Sequence, residues 1–426
     1  MVATTATAVA KARRRLIPFL FLLYVVSYLD RINVGFAALQ MNAALGFSNV
    51  TYSLGAGIFF LSYTLLEIPS NVILARVGAR RWIARIMISW GLVSAGMMFV
   101  RSATGFYVLR FLLGAAEAGF FPGIIYCLTR WFPVRERARA IAGFMTAVVI
   151  AGIVGGPVSG VLLSLDGVGG LAGWQWLFIV EGLPAVVLGF VVLRVLPEVP
   201  SDARWLTPAE QAALTTQLEE EAARAKKTGS VHSVHGALTS GRMWLLAAVY
   251  FTIPVELYAL SFWLPQIVKS ASGASDFLVG MLSAIPYAVA AVAMVVVGRH
   301  SDTTGERRWH IALSAAVGGV ALALTGFVRG VVPAIALLSL ATAGLASMLG
   351  PFWAFATSFL GGIGAAAGIA LVNSVGNIGG FVGPNIVGFV REATSSFATG
   401  LAIVGAILVA GGVLVLAVNP SRKPLV

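Results

Sequence analysis

A single cysteine, Cys127, stands in 426 residues, so no intrachain disulfide is expected, and its place near one end of an apolar stretch argues against a reactive thiol. Charge is scarce, at 11% of residues against 58% apolar, with a mean hydropathy of +0.91. Those values exclude a soluble globular domain. The four histidines all fall outside the apolar stretches or at the very edge of one, and the sequence offers neither a metal-ligand cluster nor a nucleophile beside its base, so an embedded enzyme is not expected. The first 15 residues resemble the start of a signal peptide. The apolar run that follows is too long for one, carries Asp30 and Arg31, and lacks a small-residue cleavage site.

What the sequence has is length of hydrophobic run. Windows able to span a bilayer as helices occur near 16–41, 52–75, 82–100, 104–129, 138–165, 173–196, 243–268, 276–298, 310–329, 331–358, 363–390 and 394–418. The polar stretch 197–242 divides them equally, which predicts an all-α membrane protein of twelve transmembrane helices. Its parts are an N-terminal tail (1–15), a six-helix bundle (16–196), a central loop (197–242), a second six-helix bundle (243–418) and a C-terminal tail (419–426). The net charge of +12 is an orientation signal. Outside the spans, every Lys and Arg except Arg101, Lys269, Arg329 and Arg391 falls on one side, which the positive-inside rule makes cytoplasmic together with both termini. A nucleic-acid role receives no support.

Against that apolar background, Asp30 and Arg31 fall just past the middle of the first span. A charge at that depth costs at least ~2.5–3.5 kcal/mol and faces a protein interior or a watery cavity. Such a pair either locks two helices or belongs to an ion and substrate pathway, and partners at matching depth favour the pathway. In the fourth span, Arg110 and Glu117 are seven residues apart and share a face. They stand ~10 Å apart in height, so cross pairs are expected, Arg110 with Asp30 and Glu117 with Arg31.

Other polar residues in the spans are few. Tyr63 either faces a cavity or packs between helices, and Glu67 lies within reach of the cytoplasmic basic loops as a structural gate charge. Glu181 is expected to brace loops. Glu256 either is protonated and hydrogen-bonded or lines the cavity. Asn373, Asn377 and Phe381 repeat every four residues as one interior stripe, which serves either packing or ligand hydrogen bonding. The central loop contains Thr207-Pro208-Ala209-Glu210, a capping box that opens a surface helix to about Lys226.

Arg76 to Arg81 and Gly298 to Arg308 are glycine turns with basic residues at equivalent places in the two halves, an internal repeat. The second, with Asp302, Arg307 and Arg308, resembles the loop signature G-x-x-x-D-x-x-G-x-R-R/K of the major facilitator superfamily. Tyr28-Leu29-Asp30-Arg31-Ile32-Asn33, Arg110 with Glu117, Trp176-Leu177-Phe178-Ile179-Val180-Glu181-Gly182, Phe262-Trp263-Leu264-Pro265 and Asn373 to Phe381 together closely resemble the anion:cation symporter family within it.

The resemblance implies two pseudo-symmetric six-helix bundles and proton-coupled uptake of an organic carboxylate by alternating access in the bacterial inner membrane. Carriers of tartrate, phthalate, 4-hydroxyphenylacetate, galactonate and glucarate are of this kind, and sialin and the vesicular glutamate transporters are related. It implies Asp30 and Glu117 as proton-coupling residues, Arg31 as the carboxylate ligand with Arg110 in support, and Tyr28, Tyr63, Trp353, Asn373 and Asn377 around the substrate; Glu256 joins the substrate-site candidates on its own reading as a cavity-lining residue. Glu67, Asp302, Arg307 and Arg308 take gating or structural roles. The expected partners are the carboxylate and membrane lipid, with protons as the coupling ion, no cofactor or metal, and a monomer. Three departures bear on the substrate: Glu256 stands where a small or apolar residue is usual, Phe355-Ala356 replaces Leu-Pro, and the glycine-rich fifth span offers a substrate only Thr146 where a sugar-acid carrier would supply more hydrogen bonds. An exchanger or a sodium-coupled carrier is the alternative. A nutrient sensor is disfavoured by the small central loop.

Overall fold

The computed structural model describes residues 2–227, 239–358 and 362–418. Its helices follow the apolar runs. They are α1 (Val2–Leu45), α2 (Asn49–Val77), α3 (Ala79–Gly96), α4 (Ala103–Glu117), α5 (Phe120–Trp131), α6 (Val134–Met145), α7 (Ala147–Leu163) and α8 (Gly173–Val195) in the first half. A surface helix α9 (Pro208–Lys227) follows, and the second half holds α10 (Gly241–Ser272), α11 (Asp276–Thr304), α12 (Arg308–Thr325), α13 (Val331–Thr357), α14 (Gly362–Thr394) and α15 (Ala398–Ala417). Among the described residues, ten helical stretches are long and apolar enough to cross a membrane, and α7 is a shorter apolar helix. The predicted C-terminal tail and part of the central loop lie outside the described residues.

Large apolar side chains cover the outside, among them Leu65, Ile68, Val187, Phe190, Val292, Val296 and Val413, all at least half exposed. An aqueous surface does not tolerate such a coat, and lipid requires it. Inside, helices close on each other where side chains are absent. Gly156 and Gly160 of α7 meet Gly280 and Phe277 of α11, and a Cβ on Gly160 would stand 2.9 Å from the Phe277 carbonyl oxygen. That crossing joins the two halves.

Three boundaries differ from the sequence reading. The segment 2–15, expected to be a tail, continues α1 as helix, held by Lys11 Nζ to Glu210 at 2.7 Å and by Arg13 to Glu136. The fourth span is two helices, α4 and α5, because the chain turns at Ala118 and Gly119. The fifth is divided between α6 and α7 at Thr146. The capping box forms as expected: Thr207 N donates to Glu210 Oε2 at 2.9 Å and Glu210 N to Thr207 Oγ1 at 3.3 Å.

The repeated loops share a physical device. In the first half Glu198 accepts from the backbone N–H groups of Ala79 (2.7 Å) and Arg80 (3.0 Å) at the start of α3. In the second, Glu306 accepts from Trp309 N at the start of α12 (2.9 Å). A carboxylate thus neutralises the same helix N-terminus in each half. Asp302 pairs with Arg307 at 2.6 Å across the second turn, Arg307 also donates to Ser301 Oγ at 3.0 Å, and Arg308 opens α12.

Among the described residues, the hydrogen bonds that cross between the halves include a group at one end and a group at mid-depth. At the end remote from α9, Gln40 donates to Asp276 (2.9 Å), Asn49 to Glu392 (2.9 Å) and the Tyr52 hydroxyl to the Phe262 carbonyl (2.8 Å). At mid-depth Arg31 reaches Tyr258, and Glu67 accepts from Asn373 and Asn377. None of these lies on the α9 side of Glu67.

Candidate functional site

Successive residues on a helix point ~100° apart, so α1 sends Asp30 and Arg31 to different neighbours. Arg31 faces the junction of the halves. Its Nη2 pairs with Glu117 of α4, and its Nη1 donates to the Tyr258 hydroxyl of α10 at 3.1 Å. The guanidinium lies 5.4 Å from the ring centre of Phe59 and 5.5 Å from that of Tyr63, both on α2. Ser27, one turn before Arg31 on the same face, donates to Glu117 at 2.9 Å. Arg31 is 7% exposed and Glu117 1%. The predicted Arg31–Glu117 pair is therefore present, and its desolvation is offset by hydrogen bonds from both sides.

The second predicted pair does not form. Asp30 faces α3 and accepts from Trp90 Nε1 (2.8 Å), Ser94 Oγ (2.7 Å) and Asn33 Nδ2 (3.3 Å). Arg110 turns to α2 instead: its Nε donates to the Gly55 carbonyl at 3.2 Å and its Nη2 to that of Ala56 at 2.9 Å, with Phe59 and Phe262 beneath the guanidinium. A face of α1 that gives Arg31 to Glu117 cannot also give Asp30 to a residue on the same side of α4. Backbone carbonyls take its Nε and Nη2 instead, and among the described residues its Nη1 has no hydrogen-bond partner.

Immediately after Glu117 the helix breaks. Ala118 adopts φ −53°, ψ 127°, and Gly119 the left-handed φ 88°, a conformation that costs residues with a Cβ about 1–2 kcal/mol. The freed Ala118 carbonyl accepts from Ser70 Oγ at 2.6 Å, and Ser70 in turn accepts from Trp82 Nε1 at 2.9 Å. Unwound backbone at membrane depth is tolerated where protein supplies such partners, and discontinuous helices of this kind flank binding sites in transporter folds.

The remaining candidates are dispersed. Glu67 does not reach the basic loops. It is 4% exposed and accepts from Asn373 Nδ2 at 3.0 Å and Asn377 Nδ2 at 3.4 Å, so the amide stripe of α14 meets a carboxylate of the opposite half. Tyr63 stacks on Phe59, with ring centres 5.9 Å apart. Tyr28 is buried against Ile32 and Ala151, and among the described residues its hydroxyl has no partner. Trp353 stands edge-on to Tyr250 at 4.9 Å. Glu256 fits neither expectation: it is fully buried, so it lines no open cavity, and among the described residues neither carboxyl oxygen has a hydrogen-bond partner. It lies one turn beyond Thr252, which packs on Gly411 of α15, so that face of α10 is turned from the junction. Glu181 accepts from Ser159 Oγ of α7 at 2.9 Å and so braces a helix, not loops.

Four side chains around the central pair had no role in the sequence reading: Ser27, Tyr258, Trp90 and Ser94. The signal for Ser27 was its i, i+4 spacing from Arg31. The other three are on helices whose contact with α1 no periodicity reveals.

Chemically, the site offers one guanidinium to a carboxylate and holds it with a group that protonation would neutralise. A second carboxylate can displace Glu117 from Arg31 once Glu117 carries a proton, since the fork geometry of arginine suits either.

A family model described as Major Facilitator Superfamily matches residues 20–384. A protein of Agrobacterium vitis, named provisionally as a tartrate transporter, is 48% identical over 410 residues, covering 96% of this chain and 94% of that relative. A metabolite transport protein of Pseudomonas putida, NicT, likewise a provisional name, is 43% identical over 415 residues, with 97% and 94% covered. Among solved structures, a bacterial homolog of the human lysosomal transporter Spinster, crystallised inward-facing and occupied, aligns with a TM-score of 0.78 at 16% identity, over 96% of this chain and 99% of that one.

Proposed function

This chain belongs to the Major Facilitator Superfamily, and from that premise we propose that it imports an organic carboxylate together with protons by alternating access. It is a multi-pass membrane transporter of the organic-anion type and not an enzyme, as its family and named relatives are. The twelve-span layout is supported by the ten spanning stretches plus α7 and α14. The cytoplasmic placement of both termini rests on the distribution of Lys and Arg, and with it comes the bacterial inner membrane. In that orientation the cross-half hydrogen bonds close the outer end. The carrier is proposed to work as a monomer.

The observation that carries the reading is the Arg31–Glu117 pair, buried where Tyr258 of the other half touches it. A bare monoanion entering a negative-inside cell works against ~2.3 kcal/mol per 100 mV, and co-transported protons reverse the sign of that work. Protonation of Glu117 frees Arg31 for the substrate carboxylate. Asp30, on the same helix, holds a second proton, and Arg110 keeps α2 in register with α4. The loaded and the empty deprotonated forms then exchange orientations. Tartrate is the first substrate to test, given the relatives' names.

Uptake of tartrate into proteoliposomes under an imposed proton gradient tests this. Accumulation that follows the gradient and is lost in the Asp30→Asn, Glu117→Gln double variant is expected. Uptake indifferent to the gradient, or driven by sodium or by internal anion alone, overturns the coupling.

A further inference from the structure

The turn between α11 and α12 brings together two histidine rings ten residues apart in the chain, a spacing that carries no metal signature in the sequence. His300 lies near the C-terminal end of α11 and His310 in the first turn of α12. Their facing nitrogens, His300 Nδ1 and His310 Nε2, are 2.7 Å apart, and the ring centres 5.0 Å. The other ring nitrogen of His310, Nδ1, stands 2.9 Å from Glu306 Oε2. The backbone beneath the rings is tied down. The His300 carbonyl accepts from the hydroxyls of Thr303 and Thr304, both at 2.9 Å, and Ser301 Oγ donates to the Glu306 carbonyl at 2.7 Å. Gly305 makes the left-handed turn, at φ 67°.

The hydrogen bonds assign the ring protons. Both carboxyl oxygens of Glu306 accept from backbone N–H groups, Oε1 from Trp309 at 2.9 Å and Oε2 from His310 at 3.2 Å, so His310 Nδ1 is the donor to Glu306. A neutral imidazole that donates from Nδ1 carries its lone pair on Nε2, which here faces His300 Nδ1. In the free protein His300 fills that gap with its own Nδ1 proton. In its other tautomer the proton sits on Nε2, two lone pairs face each other, and a cation can lie between them. We infer that His300 and His310 form a binding site for a divalent transition-metal ion of the kind imidazole suits, zinc, copper or nickel. Two nitrogens on a tetrahedral zinc stand about 3.3 Å apart, so the rings need to part by roughly 0.6 Å, and His300 is exposed. Glu306 supplies the carboxylate that orients a metal-bound imidazole through its second nitrogen. Asp302 neutralises Arg307 across the same turn, at 2.6 Å. Among the described residues no group of three or more ligating side chains is assembled, so water fills the remaining positions on the ion. The site is independent of the coupling reading, and an ion in it ties α11 to α12.

Pulsed electron paramagnetic resonance of the full chain with one equivalent of Cu2+ tests this, because the echo modulation counts the imidazoles on each copper. The background is the His232→Asn, His235→Asn variant, which leaves His300 and His310 as the remaining histidines. Modulation from two imidazoles on one copper is expected there. Glu306→Gln should keep both imidazoles and bind about tenfold more weakly, the usual cost of a lost orienting group. His300→Gln and His310→Gln should each lose the two-imidazole signal, with a larger loss of affinity than Glu306→Gln. Zn2+ should raise the melting temperature of the background variant and of neither single histidine variant. A single imidazole per copper in the background variant, copper affinity unchanged in His300→Gln or His310→Gln, or a melting temperature indifferent to Zn2+ would each overturn the site. Undiminished affinity in Glu306→Gln would overturn the orienting role.

Discussion

Asp30 and Arg31 are neighbours in the chain, yet each is bound by a different helix, Asp30 by Trp90 and Ser94 of α3 and Arg31 by Glu117 of α4. The two charges do not neutralise each other. Each can change state with its own partner, which a carrier needs if a proton and an anion are to be handled in sequence.

Loss of the Glu117 carboxylate strands a guanidinium that is 7% exposed. Glu117→Ala is expected to destabilise the protein by about 3–5 kcal/mol, the usual penalty for an orphaned buried charge. The Arg31→Leu, Glu117→Leu double variant should melt closer to the wild type while transporting nothing. Thermal unfolding in detergent, read beside tartrate uptake, separates the two effects.

Gly119 bears the left-handed turn that ends α4, and a Cβ there would stand 2.8 Å from the Ser70 Cβ. Gly119→Ala is expected to cost about 1–2 kcal/mol from backbone strain alone. Its melting temperature should fall, and Ser70→Ala in the same chain should not restore it, because the Ser70 Cβ remains and the bond to the Ala118 carbonyl is lost.

Glu67 accepts from two amides of the opposite half, and a glutamine there would turn one donor toward another. Glu67→Gln is expected to weaken the junction by about 1.5–3 kcal/mol, the worth of a hydrogen bond to a charged group. Spin labels at Ala44 and Ala393, exposed at the closed end, should then show a longer-distance population. The native Cys127 is buried and stays unlabelled. An unchanged distance distribution would contradict this role for Glu67.

The Lys11 ammonium beside Glu210, helped by the Thr207 backbone N–H, holds the Glu210 carboxyl below the usual carboxylate range. A carboxyl depressed on folding contributes stability that is present above its unfolded pKa of about 4.3 and lost as pH falls through the lower folded value. Docking of α9 on α1 should loosen in that acid window, and Glu210→Gln should remove the pH dependence. Hydrogen exchange across 208–227, corrected for intrinsic rate, reads it.

Much of this architecture was legible because charge in the spans is so rare. Arg31 and Glu117 had to find each other at one depth, and the Thr207–Glu210 box is a local pattern that needs no tertiary context. Arg110 was misread because its partners are backbone carbonyls of Gly55 and Ala56, which leave no mark in a sequence. Trp90 and Ser94 looked like ordinary span residues, since their role depends on how α3 rotates against α1. The break at Gly119 was hidden among many glycines that serve close packing. The helical state of residues 2–15 depends on α6 and α9, far along the chain.

That last feature has a mechanical result. The stretch from Thr4 to Leu45 is a single 42-residue rod, about 60 Å long at the usual rise, with the charged centre near its upper third and the linker clamped near its foot. A few degrees of tilt at the binding centre becomes a swing of several ångströms at the tip. Events sealed inside the bilayer are thereby transcribed onto a part that stands in water, where a reporter dye on the tip could follow occupancy without entering the cavity.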